Sequence, residues 1–212
     1  MMMTKRYFIS VLVAATCLFI AKPVTAQADA FTDGAVTFIE ALADDAVKSL
    51  ATKETAKKDR IAKFRALLND NFAVKSIGRW VLGRYWRKAS KTEKEEYNVL
   101  FEDLIVATYV SRFEEFNGET LKVMKATSQN GKDAFVKSEI IRPGGQPPVR
   151  VDWRVRAPNA KYKIVDVVVE GVSMSQTQRS EFSSVIKREG GKVSGLLEAL
   201  RKKTKILRET EK

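Results

Sequence analysis

The sequence predicts an α+β fold in which a curved, antiparallel, four-stranded sheet is covered on one face by helices. Apolar residues recur at helical spacing up to Gly118, at every second position from there to about residue 172, and at helical spacing again beyond it. The turns between the predicted strands are short and rich in Gly, Pro and Asn. Short turns favour antiparallel neighbours, and such a sheet has one dry face and one wet face.

The N-terminal residues are typical of an export signal. Two basic residues precede an apolar run over residues 7–21, and small residues allow cleavage after Ala26 or Ala28. A helix that spans a bilayer needs about 20 apolar residues, so this run is too short. We therefore expect a signal peptide over residues 1–26, with cleavage after Ala28 as the alternative, and an exported protein.

The composition excludes several kinds of site. The chain has no histidine, and its one cysteine, Cys17, lies in the predicted signal. The exported form would therefore lack disulfides, thiol nucleophiles, the commonest general base and the commonest zinc ligands, so we expect no metal and no cofactor. The formal net charge is +12. In an exported protein, a positive charge of this size favours binding to anionic lipid or to acidic protein surfaces over binding to nucleic acid. It could also serve solubility alone.

Three helices are predicted in the first part of the exported chain. The first begins near residue 32, and the second ends at the Asn-Asp-Asn sequence of residues 69–71. The third runs from Val74 to about Leu82, and its end belongs to the aromatic and basic segment GRWVLGRYWRKAS (78–90). The apolar positions that define the first two helices are Ala35, Ile39, Leu42, Ala46 and Leu50, then Ile61, Phe64, Leu67 and Leu68.

The fourth predicted helix has the clearest start signal. Ser90 and Glu93 fit the S-x-x-E capping box, and Asn117 with Gly118 provides the stop signal. We predict roughly 25 helical residues, about 38 Å, which is long enough to form one wall of the core. Its apolar and aromatic positions include Tyr97, Leu100, Phe101, Leu104 and Phe113.

Four strands are predicted after this helix. They cover residues 119–127, 133–141, 148–157 and 161–172. The third alternates strictly, with Val151, Trp153 and Val155 on one face and charged residues on the other. A helical cover that stands slightly off the dry face of such a sheet would leave a deep apolar pocket.

Two helices are predicted to complete the fold. Ser175 is expected to cap the first, which ends at the glycines of residues 190–191. The second begins at Val193, and residues 204–212 form a charged tail that we expect to fray. Residues 29–203 would then form one domain.

One pair of carboxylates could perform acid/base chemistry. Asp166 and Glu170 lie on one face of the last predicted strand. Strand positions four apart are about 13 Å from each other, and neither acid has an evident partner. An enzyme or small-ligand domain that uses this pair remains one hypothesis, and an adaptor that docks by its basic surface is another.

Three sequence strings support a resemblance to a known family. VLGRYWRKAS (81–90), RPGGQPPVRVDW (142–153) and VVEGVSM (168–174) occur in this order, the first followed by a long aromatic-rich helix. Over about residues 30–203 the chain resembles the MlaC family, the periplasmic phospholipid-binding components of the Mla pathway, also described as toluene-tolerance or auxiliary ABC-transporter proteins. The resemblance implies a non-enzymatic periplasmic carrier of phospholipid, or of a hopanoid or other lipid. Its partners would be an inner-membrane ABC transporter complex with its substrate-binding subunit and an outer-membrane lipoprotein–porin complex, and its role the maintenance of outer-membrane lipid asymmetry.

The resemblance also implies where the lipid lies. Family members hold acyl chains in a pocket between the sheet and the helices, with the headgroup largely in solvent. In the corner segment we expect Gly83 to end the third helix and the basic side chains to point outward. The residues expected to contact lipid are Ile77, Trp80, Val81 and Tyr85 at this corner, Leu100, Leu104 and Tyr109 on the long helix, Val151, Trp153 and Val155 on the third strand, and Val169 and Met174 near the end of the sheet.

Overall fold

A computed structural model of the protein describes residues 24–52, 55–129 and 131–211. The predicted signal before residue 24 lies outside these residues. The helices are α1 Val24–Leu50, α2 Lys57–Asn71, α3 Val74–Leu82, α4 Lys91–Tyr109, α5 Met174–Arg188 and α6 Val193–Glu211. The strands are β1 Thr120–Gln129, β2 Asp133–Ile141, β3 Val149–Arg156, β4 Lys163–Val169 and β5 Val172–Ser173. The predicted α+β class is confirmed, with β5 as a short addition to the four predicted strands.

The sheet is an antiparallel meander in the order β1-β2-β3-β4-β5. Each turn is tight because it contains residues that tolerate a positive φ, such as Gly144 (74°) and Asn159 (55°). Register shifts occur between Val123 and Lys125 and between Arg154 and Val155. Each shift inserts a residue into one strand, which bends the sheet and accounts for its curvature.

One end of the dry face of the sheet is a closed core under α1. Val155 pairs with Ala134 on β2 and with Ile164 on β4, and all three side chains are fully buried. Ala35 and Ile39 of α1 pack against them. The small side chains of the two alanines allow the helix to approach the sheet closely, so no gap remains at this end.

The helices form a second core of their own. Ser90 and Glu93 make the predicted capping box at the start of α4. Tyr97 is fully buried, its hydroxyl donates to the Gly78 carbonyl at 2.9 Å, and burial raises the pKa of its phenol. A side chain at Gly78 would place its Cβ 3.0 Å from the Phe101 ring, so α3 and α4 are in close contact at this glycine.

The end of α4 differs from the prediction. The α-helix stops at Tyr109 and continues as a 3₁₀ turn, Val110–Phe113, instead of running to residue 117. The tighter winding buries Val110 and brings the Phe113 ring to 5.9 Å from that of Phe64 on α2. Packing against α2 therefore ends the regular helix before the Asn-Gly stop signal is reached.

Two predictions about the C-terminal helices were wrong. The N-cap of α5 is Ser173, whose hydroxyl oxygen accepts from the Gln176 backbone N–H at 3.1 Å, and not Ser175. The expected frayed tail is helical as far as Glu211. It is held because Leu207 is only 6% exposed and Arg208 donates to the Asp103 carboxylate at 2.8 Å.

Candidate functional site

A cavity of about 440 Å³ lies between the sheet and its helical cover. Helices α1 to α4, the 3₁₀ turn after α4 and the start of α5 form one side, and β2, β3 and β4 form the other. Its lining is apolar or aromatic except for Arg112, Asp166, Ser175 and Gln178. This volume falls within the range of about 300–1,000 Å³ that is usual for small-molecule sites.

Six of the residues expected to contact lipid lie in the wall of this cavity. They are Ile77, Val81, Tyr109, Trp153, Val169 and Met174. The structure therefore brings together the end of α3, the end of α4 and the adjoining parts of β3 and β4. The Trp153 ring has a fixed orientation, because its Nε1–H donates to Ser138 Oγ at 2.9 Å.

Two of the other six expected residues lie on a different side of α4. Leu100 and Leu104 are buried in the helical core with the leucines of α6. Successive residues on a helix are turned by about 100°, so Phe101 and Ile105, one position further along, line the cavity instead.

The remaining four expected residues are also outside the cavity wall. Val155 belongs to the closed core under α1, and Val151 is buried without lining the cavity. Tyr85 lines a separate cleft. Trp80 is 44% exposed, and the Arg179 guanidinium lies 4.7 Å from the centroid of its ring.

The wall formed by α1 and α2 was not among the residues expected to contact lipid. Leu42, Ala46 and Leu50 line the cavity from α1, and they form the C-terminal half of the apolar stripe that predicted the helix. Other unassigned lining residues are Phe64, Leu67, Leu68 and Phe72 from α2 and its end, Phe113 after α4, and Ile140 and Val167 from the sheet. Their spacing predicts burial, but it does not indicate whether a side chain meets protein or a cavity.

Arg60 joins the segments around one end of the cavity. It is 6% exposed, and its Nε and Nη2 donate to the carbonyls of Leu50 and Thr52, both at 3.0 Å. Its Nη1 donates to the Glu114 carboxylate at 3.2 Å. A buried guanidinium with these partners ties the end of α1 and the chain after α4 to α2.

Asp166 has a structural set of partners. Its carboxylate accepts from the hydroxyls of Ser173 and Ser175, at 2.6 and 2.7 Å, and from the Ser175 backbone N–H at 3.2 Å. These bonds attach the start of α5 to β4. Ser175, which was predicted to cap the helix, instead binds Asp166. Glu170 is exposed and accepts from the Arg150 backbone N–H. The two acids of the enzyme hypothesis are therefore engaged with separate partners.

Residues 24–52, 55–129 and 131–211 contain neither a candidate metal-ligand cluster nor a candidate membrane span. No group of three His, Cys, Asp or Glu side chains in these ranges is arranged to hold a metal ion. Within the same ranges, no helix has both the length and the apolar character needed to cross a bilayer.

Two comparisons with known proteins concern individual relatives. The intermembrane phospholipid transport system binding protein MlaC of Haemophilus influenzae is 23% identical over 117 residues, which is 53% of this chain and 54% of that protein. The chain thus matches about half the length of this curated relative. A phospholipid-binding protein from Ralstonia solanacearum, solved in complex with a phospholipid, superposes with a TM-score of 0.70. It is 22% identical, and the match covers 82% of this chain and 98% of that one.

At 22% identity, the structural likeness to the Ralstonia protein establishes the fold alone. The family comparison covers more of the sequence than the curated relative does. The family described as MlaC protein matches residues 40–202, from the middle of α1 to the middle of α6. These residues include all five strands and every residue that lines the cavity, and the chain therefore belongs to the MlaC family.

Proposed function

We propose that this protein binds a phospholipid in the cavity between sheet and helices and carries it through the periplasm. The donor and acceptor would be an inner-membrane ABC transporter complex and an outer-membrane lipoprotein–porin complex. The observation that carries the proposal is the apolar cavity of about 440 Å³ in a chain of this family. The phospholipid named for the Ralstonia protein and the transport system named for the Haemophilus relative support the cargo.

The energetics of lipid transfer explain why a carrier needs such a cavity. Burial of one methylene is worth about 0.8 kcal/mol, so two acyl chains with roughly 30 methylenes represent about 25 kcal/mol. A lipid therefore does not cross water unaided at a useful rate. A carrier whose cavity is nearly as apolar as a bilayer makes each transfer almost isoenergetic and needs no nucleotide. Direction would come from partners that bind the loaded and empty forms with different affinities.

Some residues of the cavity wall would contact the acyl chain, and others hold the wall in place. Trp153 and Val167 offer the dry face of the sheet to the acyl chain, and Phe101 and Ile105 offer the opposite face from α4. Arg60 holds the ends of the neighbouring segments together, so that the wall is formed before lipid enters. A preformed wall lowers the ordering cost of binding.

Native mass spectrometry of protein purified without detergent tests the proposal. We expect a bound mass that lipid extraction identifies as phospholipid. Ile105→Glu places a carboxylate in the cavity and should reduce the bound fraction at least tenfold, because lipid binding would then bury an unpaired charge. Val99→Glu is the matched control, since Val99 lies on the same helix but is 53% exposed and does not line the cavity.

Two outcomes would contradict phospholipid carriage. One is wild-type protein that is purified empty and takes no phospholipid from vesicles. The other is equal lipid retention by the two glutamate variants when circular dichroism shows both to be folded.

Export is part of the same proposal. The predicted signal over residues 1–26 would be removed before the carrier acts. Intact-mass measurement of the protein from the periplasmic fraction should give a chain that starts at residue 27 or 29. A full-length chain that remains with the cytoplasmic fraction would contradict periplasmic carriage.

A further inference from the structure

A second cleft, of about 270 Å³, lies where the end of α3 and the following 3₁₀ turn, Gly83–Arg87, meet α5. Val81 and Leu82 provide its apolar lining, and Tyr85 and Ser183 provide hydroxyl groups. The other lining residues are Gly83 and three cations, Arg84, Arg179 and Lys187. No acidic side chain lines this cleft.

The three cations are not neutralised by neighbouring acids. None of them takes part in a salt bridge within the described parts of the chain. Cations gathered around a concave surface repel one another and raise the local concentration of anions. An anionic ligand would remove this repulsion.

The two arginines are held in place by neutral groups. Arg179 Nη1 donates to the Trp80 carbonyl at 3.2 Å, and its guanidinium stacks on the Trp80 ring. Arg84 Nη2 donates to the Tyr85 hydroxyl at 3.1 Å, and its guanidinium lies 5.0 Å from the centroid of that ring. These contacts fix both side chains but leave their charge and several N–H groups available.

Two other residues of the cleft, Gly83 and Tyr85, are in close contact with its arginines. Gly83 has a φ of 57°, a backbone conformation that favours glycine, and it packs closely on Arg179, since a Cβ there would lie 3.1 Å from Arg179 Nη2. The hydrogen bond from Arg84 holds the pKa of the buried Tyr85 phenol below its ordinary value, against the effect of burial. The charges of Arg84 and Lys187 lower the same pKa.

We propose that this cleft binds a phosphate group, either the phosphodiester of a carried lipid or free phosphate. Guanidinium groups present paired N–H donors that match phosphate oxygens, and the lysine and hydroxyls can donate to the remaining oxygens. The volume of the cleft admits a group of this size and leaves room for water.

The cleft lies beside the cavity between sheet and helices. Val81 lines both spaces. On α5, Ser175 lines the cavity, and Arg179, Ser183 and Lys187 continue the same row at four-residue steps into the cleft. Binding of a lipid phosphodiester here would add headgroup recognition to carriage, and this form of the proposal rests on the proposed function. Binding of free phosphate does not depend on the proposed function.

Isothermal titration with inorganic phosphate, on protein from which bound lipid has been extracted and in chloride buffer of low ionic strength, tests the cleft itself. We expect the double variant R84Q/K187Q to bind phosphate at least tenfold more weakly than wild type. R87Q/R188Q is the matched control, because it removes the same charge from the same 3₁₀ turn and the end of the same helix. Neither Arg87 nor Arg188 lines the cleft. Absence of phosphate binding by wild type, or equal weakening of both double variants, would overturn the proposal.

Uptake from vesicles identifies the source of the phosphate. Phosphatidylethanolamine vesicles are compared with the same vesicles doped with diacylglycerol of identical chains, which lacks phosphate. If the lipid phosphodiester occupies the cleft, R84Q/K187Q loses at least tenfold in phospholipid uptake but not in diacylglycerol uptake, and phosphate competes with phospholipid. If free phosphate is the ligand, phospholipid uptake is unchanged and phosphate does not compete. Wild type that takes up no lipid contradicts the carrier function, and the phosphate titration still decides the cleft.

Discussion

Helix α4 has two apolar sides with different surroundings. Leu100 and Leu104 are buried in the helical core beside α6. Ile105, one residue after Leu104, borders the cavity that faces the sheet, and Phe101 borders this cavity while it also packs in the helical core. The residue types on the two sides are similar, so their hydrophobicity does not decide which side is solid. The difference lies in the opposing layer, because the leucines of α6 fill the space on one side and the sheet stands away on the other.

The sheet shows the same contrast along its dry face. At one end, Ala35 of α1 packs on Ala134 and Val155, and the layers meet without a gap. At the other end, Trp153 and Val167 line the cavity. Helix α1 contributes to both ends, so its position sets the width of the cavity.

The N-terminal part of α1 is fixed by an aromatic clamp. The Tyr162 ring stacks between those of Phe31 and Phe38, with centroid distances of 5.7 and 5.8 Å. Gly34 makes this possible, because a Cβ there would overlap the Tyr162 hydroxyl. Together with Arg60 at the other end of the helix, the clamp holds α1 across the sheet.

The largest expected effect is loss of packing on the solid side of α4. Leu100 is fully buried, so Leu100→Ala should leave a void in the helical core and lower the free energy of unfolding by about 2–5 kcal/mol. Urea denaturation monitored by circular dichroism measures this change. The folded fraction should retain lipid as wild type does, because Leu100 does not line the cavity. A loss of less than about 1 kcal/mol would show that this side of α4 is not close-packed.

Local sequence signals predicted most of the fold. The capping box of Ser90 and Glu93 depends on residues close together in the chain, and it was confirmed. The alternating segment predicted as the third strand is also a strand, Val149–Arg156. The ends of α4 and α6 were predicted less well, because they depend on distant partners. Phe113 meets Phe64, and Arg208 meets Asp103, and no local pattern indicates either contact.

The site was harder to predict than the fold for a related reason. Apolar spacing identifies buried positions, but α4 carries two apolar stripes, and nothing local shows which one faces a cavity. Trp80 was expected in the cavity because the resemblance to the family implied that the apolar residues of this corner contact lipid. Its ring instead stacks with Arg179, which lies 99 residues further along the chain. A cavity forms where two packed layers do not touch. Its position therefore depends on how two elements pack together, which the spacing of residues within one element does not show.

A smaller effect is expected from the ion pair that holds the end of α6 against α4. Asp103 is almost fully buried and accepts from Arg65 at 3.0 Å and from Arg208 at 2.8 Å. Arg208→Gln should cost about 1–2 kcal/mol of stability, since Arg65 still compensates the carboxylate and Arg208 is partly exposed. Urea denaturation should detect this loss, and lipid retention should not change.

Lys203→Gln is the control for this prediction, because Lys203 is exposed on the same helix and should give no measurable change. If Arg208→Gln is as neutral as Lys203→Gln, the solid side of α4 does not depend on the last turns of α6.

The smallest expected change in stability comes from truncation on the cavity side of α4. Ile105 is half-buried and borders space that the protein does not fill, so Ile105→Ala should cost only about 1 kcal/mol in urea denaturation. The same change removes apolar surface from the proposed lipid site, and phospholipid retention against competing vesicles should fall by up to about tenfold, which corresponds to about 1.4 kcal/mol. Val99→Ala, on the exposed side of the helix, should alter neither quantity. If Ile105→Ala destabilises the protein as much as Leu100→Ala and leaves lipid retention unchanged, both sides of α4 are solid core, and the contrast between them does not exist.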